Sequence, residues 1–118
     1  MTYLVANLSS GKGTWPHVSK LISELEWEGI FLITDDFGKE NFKPSKQVEF
    51  ITIDKSRHTS EITEDLYRKL KGKIKDTEVA LNMISGDGKE HMALLSALLK
   101  LGLGIRLMAY TKEGVREI

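Results

Sequence analysis

Residues 79–102 read VALNMISGDGKEHMALLSALLKLG. An apolar run (Val79–Ile84), a Ser-Gly-x-Gly-Lys loop and a segment apolar most of the way round (Asp87–Leu101) follow one another without a break. This run, apolar except for Asn82, predicts a strand buried on both faces. The segment after the loop predicts a well-buried helix. The same order stands near the start of the chain: YLVAN (3–7), then Ser9-Ser10-Gly11-Lys12-Gly13-Thr14, then a helix over Thr14–Glu28. Val18, Leu21, Ile22 and Leu25 give that helix its i, i+3, i+4, i+7 stripe. Thr14 is the candidate cap, Pro16 sits in the first turn where a missing N–H costs little, and Gly29 ends the helix.

The chain between and beyond these units keeps the alternation. Ile30–Thr34 and Val48–Ile53 read as strands, with a polar loop at Asp35–Lys46. A helix starting at Thr59 or Ser60 carries Ile62, Leu66, Leu70 and Ile74 at four-residue spacing. Its interior Gly72 is expected to weaken it by about 1 kcal/mol against Ala. Ile105–Tyr110 reads as a strand, TKEG as a turn, and Val115–Ile118 as a hairpin partner. Strands alternating with helices predict an α/β fold: a small Rossmann-like, doubly wound, mostly parallel sheet of about five to six strands with helices on both faces and a C-terminal hairpin. It forms a single domain over residues 1–118. Ligands of such sheets bind beyond the carboxyl ends of the strands at a topological switch point. That selects three loops: Leu8–Thr14, Asp35–Lys39 and Ser85–His91.

Composition narrows the function. The 118 residues carry 17 basic and 17 acidic side chains, so the formal net charge is zero. That balance argues against duplex DNA binding, which needs a basic footprint. It leaves room for a small anion in a local pocket. There is no cysteine, which removes disulfides, thiolate nucleophiles and Cys-based metal sites. With no secretory pattern and no apolar run of membrane-spanning length, a cytoplasmic protein without a membrane partner is expected.

The first loop invites comparison with the phosphate-binding pattern G-x-x-x-x-G-K-[ST]. Ala6 stands where the first glycine belongs, and Gly13 where Ser or Thr does. The nucleoside-triphosphate reading therefore fails, but the physics of the loop survives. Glycines allow close backbone approach, the following helix N-terminus favours an anion, Lys12 adds charge, and Ser9, Ser10 and Thr14 add hydroxyls. The other reading is a plain strand-to-helix turn. Ser85, Gly86, Gly88 and Lys89 repeat the design in the second loop. If the strand order reverses between the first and fourth strands, both loops open onto one crevice suited to a phosphate or phosphodiester.

Asn82, Ser85, Gly86, Gly88, Lys89 and Met92 resemble the signature of CARF domains, the CRISPR-associated Rossmann-like sensors. Members carry an Asn-x-(Ser/Thr)-Gly-Gly-x-Lys-x-Met-like run after the fourth strand; here Asp87 loosens the spacing. The Ser9–Thr14 turn and the closing hairpin also resemble the family's. The resemblance implies a homodimer whose paired crevices bind a cyclic oligoadenylate made in type III CRISPR defence. Some members cut that ring without metal: a ribose 2′-OH attacks the adjacent phosphorus and leaves a 2′,3′-cyclic phosphate. In-line placement and positive charge on the developing oxyanion serve that step. On this reading Ser10 and Lys89 are the catalytic candidates. The ligand-binding set is Ser9, Ser10, Gly11, Lys12, Gly13, Thr14, Asp35, Asn82, Ser85, Gly86, Asp87, Gly88, Lys89, His91 and Met92. Most members add an effector domain, and the chain stops at the hairpin. It is therefore expected to be a ring nuclease, a ligand sink, or a non-catalytic regulatory subunit working with a separate effector.

Other residues carry weaker signals. His17, His58 and His91 lack metal-ligand spacing, so no metal or other cofactor is expected. His17 and His91 read as surface residues more readily than as crevice residues. Asp35 and Asp36 suit either a ribose hydroxyl or turn capping. Phe37 suits base stacking or loop packing. The basic stretch YRKLKGKIK (67–75) reads as a solvated face, with RNA contact the sharper alternative. Trp27 reads as core, and Trp15 as a pocket wall or dimer contact.

Overall fold

The computed structural model describes residues 2–118. Strands β1 (Tyr3–Asn7), β2 (Gly29–Thr34), β3 (Glu49–Thr52), β4 (Glu78–Asn82), β5 (Gly104–Thr111) and β6 (Gly114–Glu117) make one sheet in the order β3-β2-β1-β4-β5-β6. Every neighbouring pair is parallel except β5 and β6, which form the closing hairpin. Helices α1 (Trp15–Glu24), α2 (Asp36–Asn41), α3 (Thr59–Leu70) and α4 (Gly88–Lys100) fill the connections.

Side chains alternate across a strand, so an unbroken apolar run feeds two cores. Val5, Ile33, Val79 and Leu81 pack with Ile62, Leu66 and Leu70 of α3 and Leu94 and Leu98 of α4. Their neighbours Leu4, Ala6, Leu32 and Ala80 pack with Val18, Leu21 and Ile22 of α1 and with Phe42 beyond α2. Replacing any fully buried leucine here by Ala would cost about 2–5 kcal/mol.

Several element limits differ from the sequence expectation. Helix α1 stops at Glu24 and Leu25 is extended. The Trp27 indole N–H is donated to the Leu21 carbonyl at 2.8 Å, which satisfies a group the final turn leaves open. Trp27 is thus a half-buried cap packed against the core. The stretch expected as a polar loop contains α2, because Asp35 Oδ1 accepts the Gly38 N–H at 2.9 Å. One oxygen of this carboxylate is thus a turn cap. Gly72 lies after α3, not inside it, at φ +82°. The expected helix penalty does not arise, since this left-handed position suits glycine. Ile74 accordingly lies beyond the helix. Strand β4 ends at Asn82, leaving Ile84 outside the sheet and about half exposed.

Most cations of the basic stretch make local contacts. Arg68 and Lys69 face Asp65, Lys73 reaches Glu49 at 2.8 Å, and Lys71 lies over the Tyr67 ring. Among the described residues no helix is long and apolar enough to cross a membrane.

Candidate functional site

The register Leu4↔Ala80, Val5↔Leu81, Ala6↔Asn82 puts the carboxyl ends of β1 and β4 side by side. The two glycine loops leave from these ends and are stitched together. The Ser9 N–H is donated to Ser85 Oγ at 2.7 Å, and Ser85 is only 1% exposed. Asn7, at the end of β1, is equally buried. Its Nδ2 donates to the Ser85 carbonyl and to Glu90 Oε1, each at 2.9 Å. His91 Nε2 lies 2.8 Å from the same Ser85 carbonyl, so that nitrogen carries the proton and donates. His91 is a half-buried brace of the loop rather than a surface residue.

Glu90 is buried beneath the loop, and Lys55 faces it. Lys55 Nζ stands 3.8 Å from Glu90 Oε2 and 3.5 Å from Asp35 Oδ2. Lys89 turns away from the loop mouth, donating to the carbonyls of Lys55 at 2.6 Å and Arg57 at 2.8 Å. It straps the β3–α3 connection to α4. Asp87 caps α4 through the Glu90 N–H at 2.9 Å.

In the first loop the Trp15 indole donates to the Ser9 carbonyl at 2.8 Å. Lys12 Nζ lies 5.8 Å from the Trp15 ring centre and 5.5 Å from that of Phe37. Trp15 also meets Phe42 edge-on, which makes it a wall of the first loop. Ser10, Gly11, Lys12 and Gly13 are exposed, and Thr14 makes no side-chain cap bond. A β-carbon added at Gly11, Gly13 or Gly88 would meet nothing within 4 Å. No protein atom crowds these three positions. A depression of about 510 Å³ lies at the carboxyl ends of β2 and β3, where Asp35, Asp36, Phe37, Asp54, Lys55 and Ser56 line it. The Ser56 hydroxyl and N–H both donate to the Asp54 carboxylate and hold its pKa below the usual carboxylate value.

Two predicted residues lie away from the crevice. Met92 is 65% exposed on the outer side of α4. Asn82 points toward α1 and β5, donating to the Met108 carbonyl at 2.8 Å and lying 3.3 Å from His17 Nε2. His17 is half-buried there, not a surface residue, and its Nε2 accepts the Tyr110 N–H at 3.1 Å. Among the described residues no three His, Asp or Glu side chains gather as metal ligands.

The chain matches no family model and no curated protein.

Three site residues escaped the sequence reading. Asn7 was visible as a polar residue closing an apolar strand, the one usable hint. Glu90, in the first turn of α4, and Lys55 carry no distinguishing signal in their local sequence.

His17 makes stability depend on pH. Burial holds its imidazole below the usual value of 6.5. A lowered folded-state value means that the neutral form is favoured by folding. This contribution is complete above pH 6.5 and is lost as pH falls through the folded-state value. Urea denaturation at about pH 7.5 and about pH 5 should show a smaller decline for His17→Gln than for the parent. Equal declines in the two proteins would remove His17 as a cause.

Proposed function

We propose that the crevice between the β1 and β4 loops binds a cyclic oligoadenylate, held by two copies of the chain related by a two-fold axis. The observation that supports this reading is the Ser9–Ser85 hydrogen bond, which joins the two Ser-Gly-Lys loops. The strand order, with α1 on one face and α3 and α4 on the other, supports a doubly wound Rossmann-like domain with its switch point between β1 and β4. Exposed Ser10 and the open space at Gly11, Gly13 and Gly88 suit close approach by phosphodiester oxygens. Phe37, 43% exposed beside Lys12, offers a face to a base. For the dimer, Met92, Leu95, Ser96 and Leu99 form an outward stripe on α4 around a depression of about 410 Å³. This helix starts at the crevice, so a second copy covering the stripe brings two crevices near each other.

A non-catalytic sensor or regulatory subunit is favoured over a ring nuclease by one observation. The Lys89 ammonium, the candidate for the oxyanion, already donates to two backbone carbonyls.

The test is calorimetry with cyclic tetra- and hexa-adenylate in EDTA, combined with light scattering and mass analysis of the recovered ring. One intact ring per dimer is expected. Failure of both rings to bind sinks the proposal; a linear product carrying a 2′,3′-cyclic phosphate restores the nuclease reading.

A further inference from the structure

The crevice has three lysines close to it, and they are not equivalent. Lys89 Nζ is fixed by two short hydrogen bonds to carbonyls. Lys12 Nζ sits over two aromatic rings at the outer edge of the first loop. Lys55 Nζ is different. Its carboxylate neighbours stand at 3.5 Å and 3.8 Å, longer than the roughly 2.7–2.9 Å of a charge-assisted hydrogen bond. Its ammonium is held between them by Coulomb attraction, with donors still to give, and the side chain is 22% exposed beside the 510 Å³ depression.

We infer that Lys55 is the cation that meets the ligand's phosphate, and that Lys89 is a positioning residue acting through it. This rests on the reading that an anion occupies this crevice. The carbonyl that receives the 2.6 Å bond from Lys89 is that of Lys55 itself. Lys89 thus fixes the backbone from which the Lys55 side chain reaches out. Buried Glu90, anchored by Asn7, and Asp35, anchored by its cap bond to Gly38, hold the ammonium at the mouth when no anion is present. An arriving phosphate oxygen takes donors that neither carboxylate binds directly. The two carboxylates also set affinity, because their charge opposes that of the anion.

This gives Asp35 a testable sign. A ribose-binding Asp35 would lose affinity as Asp35→Asn. If Asp35 only restrains Lys55, the same change tightens anion binding, and Asn still caps α2.

The experiment uses the full chain at low salt, with inorganic pyrophosphate and cyclic tetra-adenylate as separate probes. Calorimetry gives affinity, and urea denaturation gives stability. Lys55→Met is paired with Glu90→Gln, so that no buried carboxylate is left unpaired and the Gln oxygen still accepts from Asn7. The K55M/E90Q protein should bind pyrophosphate about tenfold or more weakly, as expected for a lost charge-assisted hydrogen bond. Lys89→Met should lower the unfolding midpoint while changing affinity less than K55M/E90Q does. Asp35→Asn should bind more tightly. Absence of pyrophosphate binding to the parent, parental affinity in K55M/E90Q, or a larger loss in K89M overturns the assignment of Lys55. Weaker binding by D35N overturns the restraining role of Asp35. If pyrophosphate behaves as expected and the cyclic ring does not bind, the assignment stands and the ligand reading falls. If the ring binds K55M/E90Q as it binds the parent, the ligand reading stands and the assignment falls.

Discussion

Gly86→Ala is expected to lose about 3 kcal/mol of folding stability in urea denaturation. The backbone there has φ +107°, a conformation that a side chain strains. A β-carbon would also overlap Asn7 Nδ2, come within 2.6 Å of Glu90 Oε1 and lie 3.2 Å from His91 Nε2. Two of these neighbours are buried and hydrogen-bonded to each other, so neither moves aside cheaply. Gly88→Ala, two residues on, is the control. It begins α4 with nothing within 4 Å of an added carbon, and its φ lies outside the left-handed region. It should fold at least as stably as the parent, since alanine favours a helix. A similar loss in both variants would mean that the loop is not packed as described. The two glycines also separate roles: Gly86 is needed to fold the loop, whereas any loss at Gly88 should show in ligand binding.

Asn7→Asp is expected to cost about 3 kcal/mol at pH 7. Asn7 Nδ2 is a donor to Glu90 Oε1 at 2.9 Å in a buried setting. An aspartate there removes the donor and sets two carboxylates against each other. Such a pair holds a proton more tightly in the folded state than in the unfolded chain. With the folded-state value raised, the bound proton stabilises the fold at low pH, and this is lost as pH rises through that value. The gap between Asn7→Asp and the parent should therefore narrow as pH is lowered from 7 toward 5. Urea titrations across that range read it directly, and a gap that stayed constant or widened would contradict the contact. The parent's own decline, to which His17 contributes, cancels in the difference only if both proteins carry it equally. A third titration of the double variant with His17→Gln checks this.

Much of the fold was legible because periodicity is a local signal. The apolar runs of β1, β2 and β4 and the stripe of α1 mark buried faces whatever the rest of the chain does. Limits were less legible because long-range partners decide them. Helix α1 ends where Trp27 folds back on Leu21, and α2 exists because Asp35 caps Gly38. Gly38 in turn must be small, because Thr34, donating to the Leu8 carbonyl, fills the space beside it.

The site divides in the same way. The two Ser-Gly-Lys loops could be found by eye, because glycine, hydroxyl and lysine between a strand and a helix carry their chemistry in the local sequence. What each residue does there could not. Asn7 and Glu90 are 83 positions apart, and Lys55 is brought to Glu90 from a third strand end. Two lysines next to glycines drew attention, yet one lies on aromatic rings and the other binds carbonyls. By itself the sequence determined an alternating α/β chain, its buried strands and the two glycine loops that follow β1 and β4. Only the tertiary structure decided which carboxylates Lys55 meets and which glycine has buried side chains packed against it. Hydrophobic spacing is written along the chain, whereas a buried charge takes its partner from whatever the sheet order brings beside it.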